Sequence, residues 1–272
     1  MEVVSELAPA AAKLEQILEE LGSVVVGFSG GADSALLAYA ARQVLGRERA
    51  ICVTAVSASL APEELADCEA LAAEWDLDWR PVATSELANE AYARNSMDRC
   101  YHCKTELMGA LEPIASSTGG VAVLGVNLDD LSDHRPGQQA AAQRGARFPL
   151  LEAGLAKSDV RGLSRELGLR TADKPAAACL ASRVPYGTRV TIGVLSQVAH
   201  AESGLRALGF GALRVRHYGE LARLELPLDD LEQALRARQA VVAAVRAAGY
   251  KYVTIDLEGL RSGNLNEVAR PS

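Results

Sequence analysis

The segment from Val24 to Arg42 constrains this chain more than any other. An apolar run, Val24-Val25-Val26-Gly27-Phe28, leads into Ser29-Gly30-Gly31-Ala32-Asp33-Ser34, and Ala35-Leu36-Leu37-Ala38-Tyr39-Ala40-Ala41-Arg42 follows. The first run reads as a short buried strand and the last as a helix. Two glycines therefore occupy a strand-to-helix turn. Without Cβ atoms they let the backbone bend sharply and approach a ligand closely. The free N–H groups of the turn and of the helix start point at one spot, which suits an anion. Ser29 and Ser34 add hydroxyl donors. Asp33 repels phosphate, so it reads as a ligand for Mg2+ or as a helix cap. No Gly-Lys-Ser/Thr follows, which excludes a Walker-type loop, and the glycine spacing does not fit a dinucleotide fingerprint.

The next stretch alternates. Strand-like runs at 24–28, 51–56 and 121–126, with a shorter one at Asp78–Val82, are separated by helical stretches at 35–45, 62–75, 104–115 and 156–167. Residues 1–21 carry Leu14, Ile17, Leu18 and Leu21 on one helical stripe. This order predicts an α/β fold with a parallel sheet. Ligands of such sheets bind at the C-terminal strand ends, where Ser29–Ser34 and Gly125-Val126-Asn127 fall. Past residue 170 the pattern changes. Asp173-Lys174-Pro175 and Val184-Pro185-Tyr186-Gly187 read as loops. A helix at 192–208, strands at 213–217 and 221–226, a helix at 229–248 and a strand at 252–257 predict a smaller α+β domain. The expected domains are 1–172 and 173–272.

Of the 272 residues 49% are hydrophobic, ample for a core, yet no apolar run could span a bilayer, and the expected location is the cytoplasm. A net charge of −7 weighs against general nucleic-acid binding. Five cysteines in such a chain are not expected to form disulfides. Cys52, in Ile51-Cys52-Val53, and Cys68, on a stripe with Leu65, Leu71, Ala72 and Trp75, read as core. Cys100, Cys103 and Cys179 have polar or loop-like surroundings. Cys100-Tyr101-His102-Cys103, before a helical stretch, has three readings from spacing: a redox pair, a zinc site short of a ligand, or a cluster site with Cys179 as third thiolate. Asp129-Asp130-Leu131-Ser132-Asp133 reads either as help for Mg2+, with Asp130 near the phosphate loop, or as a solvated acidic loop. Residues 183–223 hold six arginines (183, 189, 206, 214, 216 and 223) against Glu202 and Glu220. That excess suits an anionic substrate gripped bidentately, or a solvated face.

The Ser29–Ser34 loop resembles the PP-loop of ATP pyrophosphatases. That loop, Arg99–Lys104, Asn127–Gly137, Asp173–Gly187 and Glu258–Glu267 together resemble the LarE-type ATP-dependent sulfur transferases, which help to build the nickel-pincer nucleotide cofactor of lactate racemase. The resemblance covers nearly the whole chain. It implies that ATP-Mg, bound by Ser29, Gly30, Gly31, Asp33, Ser34, Gly125 and Asp130, adenylates a carboxylate of a pyridinium dicarboxylate mononucleotide, and that a sulfur nucleophile then displaces AMP. In some members the cysteine matching Cys179 gives up its own sulfur and becomes dehydroalanine. In others three cysteines hold a 4Fe-4S cluster, and Cys100, Cys103 and Cys179 match that pattern, with sulfide or a sulfur donor as co-substrate.

The resemblance also places Arg214, Arg216 and Arg261 near the substrate and its phosphate, with Arg183 in the Cys179 segment and Glu202 in the following helix. Phe148 stands where the family has a small polar residue. Family members form trimer-based hexamers, so a homo-oligomer is expected. Two rival readings are a cluster-dependent tRNA thiolase and a non-catalytic adenine-nucleotide sensor. The acidic net charge weighs against the first, and the second leaves the three cysteines without a purpose.

Overall fold

A computed structural model describes residues 7–132, 136–175 and 178–261. Asp133 and His134 of the acidic loop, and Ser262–Glu267 of the C-terminal motif, lie outside them. The chain divides into two compact units. The first takes the described residues of Met1–Ser57, Pro62–Glu86 and Cys100–Ala177; the second takes those of Ala58–Ala61, Leu87–Arg99 and Ala178–Ser272.

In the first unit the elements run α1 (Ala8–Leu21), β1 (Val24–Gly27), α2 (Ala32–Leu45), β2 (Ala50–Val56), α3 (Pro62–Glu74) and β3 (Asp78–Ala83). After a short helix of the second unit, α4 (Glu90–Ala93), come α5 (Arg99–Thr118), β4 (Val121–Leu124), α6 (Pro136–Gln143), α7 (Pro149–Glu152) and α8 (Lys157–Glu166). The sheet has the order β3-β2-β1-β4, and all its pairings are parallel. Val24 is in register with Ala50 on one side and Val121 on the other. The apolar runs are continuous because both faces are covered, as parallel sheets require. Alternation sends Val24, Val26, Cys52 and Val123 into a core with α1, α2 and α8, and Val25, Ile51, Val53 and Leu124 into one with Met108 and Leu111 of α5. The sheet thus grows in opposite directions from β1, which opens a crevice at the C-terminal ends of β1 and β4.

The second unit carries α9 (Ile192–Ala207), β5 (Arg214–Tyr218), β6 (Leu221–Glu225), α10 (Leu231–Arg236), α11 (Arg238–Ala247) and β7 (Tyr252–Ile255). β5 and β6 form an antiparallel hairpin, and β7 joins β6 in parallel. One sheet face packs Val215, Ala222 and Leu224 against Ala201, Leu205, Val241 and Val245 of α9 and α11. The period-2 alternation turns Arg214, Arg216, Arg223 and Glu225 to the other face.

Two expectations need correction. α5 begins at Arg99 and not at 104, so Cys100 and Cys103 lie on its first turn rather than before it. The helix expected over 229–248 is two helices, divided at Ala237, whose ψ of 16° leaves the helical range. Nothing in the local sequence explains that break. Among the described residues no helix is long and apolar enough to cross a membrane.

Candidate active site

The loop after β1 is built by hydroxyls and glycine. Thr54 of β2 donates its hydroxyl to the Phe28 carbonyl (2.7 Å) and accepts from the Trp79 indole (2.9 Å), which fixes the exit of β1. Ser34 Oγ accepts from the Ser29 amide (3.2 Å), lies 3.0 Å from Ser29 Oγ and donates to the Gly31 carbonyl (3.1 Å). Gly30 has φ +67°, and a Cβ there would stand 3.0 Å from Cys68 Sγ and 3.6 Å from Lys174 Nζ. Only glycine suits that position. Gly31 is the N-cap of α2, so the orphan amides of the first turn open onto the bend.

Gly125, expected beside the nucleotide, has a different physical constraint. A Cβ there would lie 2.7 Å from the Ser34 amide nitrogen and 2.8 Å from the Asp33 carbonyl carbon. The end of β4 thus touches the first turn of α2 backbone to backbone.

Asp33 does not cap its helix. Its Oδ1 accepts from Asn127 Nδ2 (3.0 Å) and its Oδ2 from Lys157 Nζ (2.6 Å). Asn127, 2% exposed, also accepts the Asp129 amide on its Oδ1 (3.0 Å). Asp130 accepts the Asn127 amide (3.1 Å), and Asp129 accepts the Lys157 amide (2.7 Å). Within the described part of the acidic loop, Asp129 and Asp130 are thus each bonded to backbone amides. Lys174 donates to Glu64 (2.7 Å) and Asp67 (2.6 Å) of α3, and Arg170 also reaches Asp67 (2.6 Å). Burial alone would raise the Asp67 carboxyl, but the hydrogen bonds from Lys174 and Arg170 outweigh it and hold it below its ordinary value. Burial alone would lower the Lys174 ammonium, but Asp67 and Glu64 outweigh it and raise it. Sequence reasoning missed Lys157 and Lys174. The one local signal is that Lys157 opens α8, where a helix favours an anion over a cation.

The second unit arranges its arginines around the Cys179 segment. Arg183, 6% exposed, donates through Nη1 to the carbonyls of Ala178 (2.6 Å) and Cys179 (3.3 Å), and through Nε to Glu202 (2.8 Å). Glu202 is fully buried, and it also accepts from Arg206 (3.1 Å) and the Val215 amide (3.0 Å). Arg216 donates to Glu225 through Nε (2.8 Å) and Nη2 (2.7 Å) and to the Ser182 carbonyl (2.7 Å). Both guanidiniums are neutralised and hold the backbone on either side of Cys179. Arg214 differs. Among the described residues it has no carboxylate in ion-pair range, and it donates to the Arg261 carbonyl (3.1 Å). Burial, and then the neighbouring Arg216 and Arg183, hold its guanidinium below the usual arginine range. A half-buried cation without a paired anion marks a place where an anion gains most. Arg261 pairs with Glu258 (2.6 Å).

The cysteines divide by exposure. Cys52 and Cys68 are fully buried, and burial pushes the Cys68 thiol up to about 11 and Cys52 still higher. Cys100 is exposed, and Cys103 and Cys179 are half-buried. Cys100 and Cys103 belong to the first unit and Cys179 to the second. Within neither unit do the described residues gather three His, Cys, Asp or Glu side chains into a metal site.

The parallel sheet, its serine–glycine loop and the helix start behind it define the class of nucleotide-binding α/β enzymes with a PP-loop. Residues 8–102 match the NAD synthase family. Over 265 residues, 97% of this chain and 96% of the relative, the chain is 38% identical to the pyridinium-3,5-bisthiocarboxylic acid mononucleotide synthase of Lactiplantibacillus plantarum. It is 46% identical over 258 residues to an uncharacterized protein of Synechocystis sp., covering 94% of this chain and 96% of the relative. An uncharacterized protein of Methanocaldococcus jannaschii is 26% identical over 240 residues, 88% and 91% of the two chains. The chain belongs to the LarE family of ATP-dependent sulfur transferases.

Proposed function

We propose that this protein converts the carboxylates of a pyridinium-3,5-dicarboxylate mononucleotide to thiocarboxylates at the expense of ATP. A substrate carboxylate oxygen attacks the α-phosphorus of ATP, and pyrophosphate leaves with the β- and γ-phosphates. The acyl adenylate so formed is opened at its carbonyl carbon by a sulfur nucleophile, and AMP leaves with the transferred oxygen. Ser29, Gly30, Gly31 and Ser34 hold the phosphates, and Asp33 meets the Mg2+ that ATP carries. Arg214 receives the anionic end of the mononucleotide, and Arg183 and Arg216, fixed by Glu202 and Glu225, set the backbone around Cys179. The observation that carries this reading is the unpaired Arg214 beside two neutralised arginines that hold the Cys179 segment. The name of the Lactiplantibacillus relative supports the choice of substrate.

For the sulfur source the reading is a 4Fe-4S cluster on Cys100, Cys103 and Cys179. Soft thiolates are the donors that such a group takes. Cys100 and Cys103, three residues apart on one helix turn, share a side of α5, and these three are the cysteines with solvent exposure. Cys100, Cys103 and Cys179 would hold three of its four irons, and the group would supply an open site for sulfide. The activity belongs to the cytoplasm and to a homo-oligomer in this reading.

The test is anaerobic turnover with the dicarboxylate mononucleotide, ATP and sulfide. It should give AMP, pyrophosphate and a product in which sulfur replaces oxygen, with the polypeptide mass unchanged. Iron and acid-labile sulfide should be present in the wild type and lost in Cys100→Ala, Cys103→Ala and Cys179→Ala. Loss of the elements of hydrogen sulfide from the polypeptide would assign the sulfur to Cys179 itself. ADP and phosphate with an unchanged substrate would refute the function.

A further inference from the structure

The backbone around Cys179 is held at more points than Arg183 and Arg216 supply. The Leu180 amide donates to the Ser59 carbonyl (2.9 Å), and the Ala181 carbonyl accepts from Arg99 Nη1 (2.8 Å). Ser59 and Arg99 come from far earlier in the chain, and all these residues belong to the second unit.

Asn95 is the centre of this second hold. Its side-chain amide donates to the carbonyls of Val184 (3.2 Å), Pro185 (2.8 Å) and Thr188 (2.9 Å), and its Oδ1 accepts from Arg99 Nη1 (2.6 Å). Its backbone carbonyl accepts the Gly187 amide (3.0 Å), and that of Ala93 accepts the Val190 amide (2.9 Å). The Arg99 guanidinium also lies 5.7 Å from the centroid of the Tyr186 ring, within cation–π range. Asn95 is fully buried, and Arg99 is 4% exposed. Asn95 stands at φ +58°. Among the described residues the other non-glycine with a positive φ is Asp76, which is exposed after α3. Glycine would take this backbone shape without strain, and what asparagine adds is its amide. The strain is thus exchanged for bonds to one loop. Cys100 follows Arg99 directly, so a single clamp ties the loop after Cys179 to the chain that enters Cys100.

We propose that Asn95 and Arg99 are positioning residues for sulfur transfer, locking residues 181–188 so that the Cys179 segment keeps one geometry for attack on the acyl adenylate. This rests on the sulfur-transfer reading above. Neither residue acts on the reacting atoms. A misplacement of about 1 Å costs roughly a hundredfold in rate. An acyl adenylate that waits for sulfur is open to water. Water adds its oxygen to the carbonyl carbon and loses a proton, the acyl–phosphate C–O bond breaks, and AMP leaves with the carboxylate restored. A loosened clamp therefore uncouples AMP from thiocarboxylate.

Anaerobic turnover of the full-length protein with the dicarboxylate mononucleotide, ATP and sulfide tests this, with pyrophosphate, AMP and thiocarboxylate all measured. Asn95→Gly keeps the positive φ and removes the amide; Arg99→Met removes the guanidinium. Both variants should release pyrophosphate within about twofold of the wild-type rate, form thiocarboxylate roughly ten- to a hundredfold more slowly, and raise AMP per thiocarboxylate at least about tenfold. Arg99→Lys, which keeps the charge, should recover part of the loss. In the protein without substrates, the Gly187 and Val190 amides should exchange about tenfold faster in Asn95→Gly, with β5 and β6 unchanged. If Arg99→Met fails to fold, Asn95→Gly decides. A merely structural clamp predicts equal falls in pyrophosphate and thiocarboxylate, because unfolded molecules make neither. That result, or wild-type coupling in both variants, would overturn the proposal and leave the function standing. A wild-type protein that forms no thiocarboxylate would overturn both.

Discussion

Glu202 is the acceptor on which the second unit's cationic site depends, and Glu202→Ala shows how much. Its carboxylate is fully buried and accepts four bonds: Arg183 Nε at 2.8 Å, Arg183 Nη2 at 3.2 Å, Arg206 Nη2 at 3.1 Å and the Val215 amide at 3.0 Å. Arg183 cannot escape to water, because it is itself only 6% exposed and tied to Ala178 and Cys179. Removing one partner of a buried pair leaves the other charge uncompensated, which costs about 3–5 kcal/mol. Tryptophan fluorescence would miss this, since Trp75 and Trp79 both lie in the first unit. Amide exchange of β5 and β6 reads the right unit. Their protection should fall by roughly two to nearly four decades, at about 1.4 kcal/mol per decade. The double variant Arg183→Met/Glu202→Met, which leaves neither charge of that pair, should regain most of the loss. Protection in Glu202→Ala within about 1 kcal/mol of wild type would refute the claim that this pair is buried and uncompensated when broken.

Gly125→Ala places a methyl 2.7 Å from the Ser34 amide nitrogen, and because backbone cannot yield as a side chain does, urea unfolding of the first unit should show a loss of about 1–3 kcal/mol together with weaker ATP binding. Burial holds the His217 imidazole below its ordinary 6.5, so the unfolded chain takes up the proton first. Its contribution to stability is fully present above about pH 6.5, is lost as pH falls through the lower folded value, and should flatten in His217→Asn, as read by β5 exchange against pH. A maleimide applied to the native apoprotein should modify Cys100, Cys103 and Cys179 and leave Cys52 and Cys68 intact, as peptide mass mapping would show.

The sheet and its loop were legible because a buried parallel strand leaves an unbroken apolar run and a phosphate bend needs glycine. Helix α5 starts five residues earlier than the sequence predicts, since Arg99-Cys100-Tyr101-His102-Cys103 has no apolar stripe and the helix is fixed further on by Met108 and Leu111. That residues 58–61 and 87–99 join the second unit was not legible at all. Asn95, at φ +58°, donates its side-chain amide to the carbonyls of Val184 (3.2 Å), Pro185 (2.8 Å) and Thr188 (2.9 Å), and Arg99 donates to Ala181 (2.8 Å). Bonds between residues some ninety positions apart leave no periodic trace. The same holds at the site. The arginine-rich stretch was visible as composition, but which arginine is unpaired depends on Glu202 and Glu225, and Glu225 carried no signal of its own. Lys157 and Lys174 were hidden for the same reason.

The most direct test of the account follows one oxygen atom. Substrate labelled with heavy oxygen in both carboxylates is turned over anaerobically with ATP and sulfide, and the AMP is weighed. If adenylation precedes sulfur transfer, each thiocarboxylate formed delivers one labelled oxygen to the phosphate of AMP. Unlabelled AMP alongside thiocarboxylate product would contradict the account.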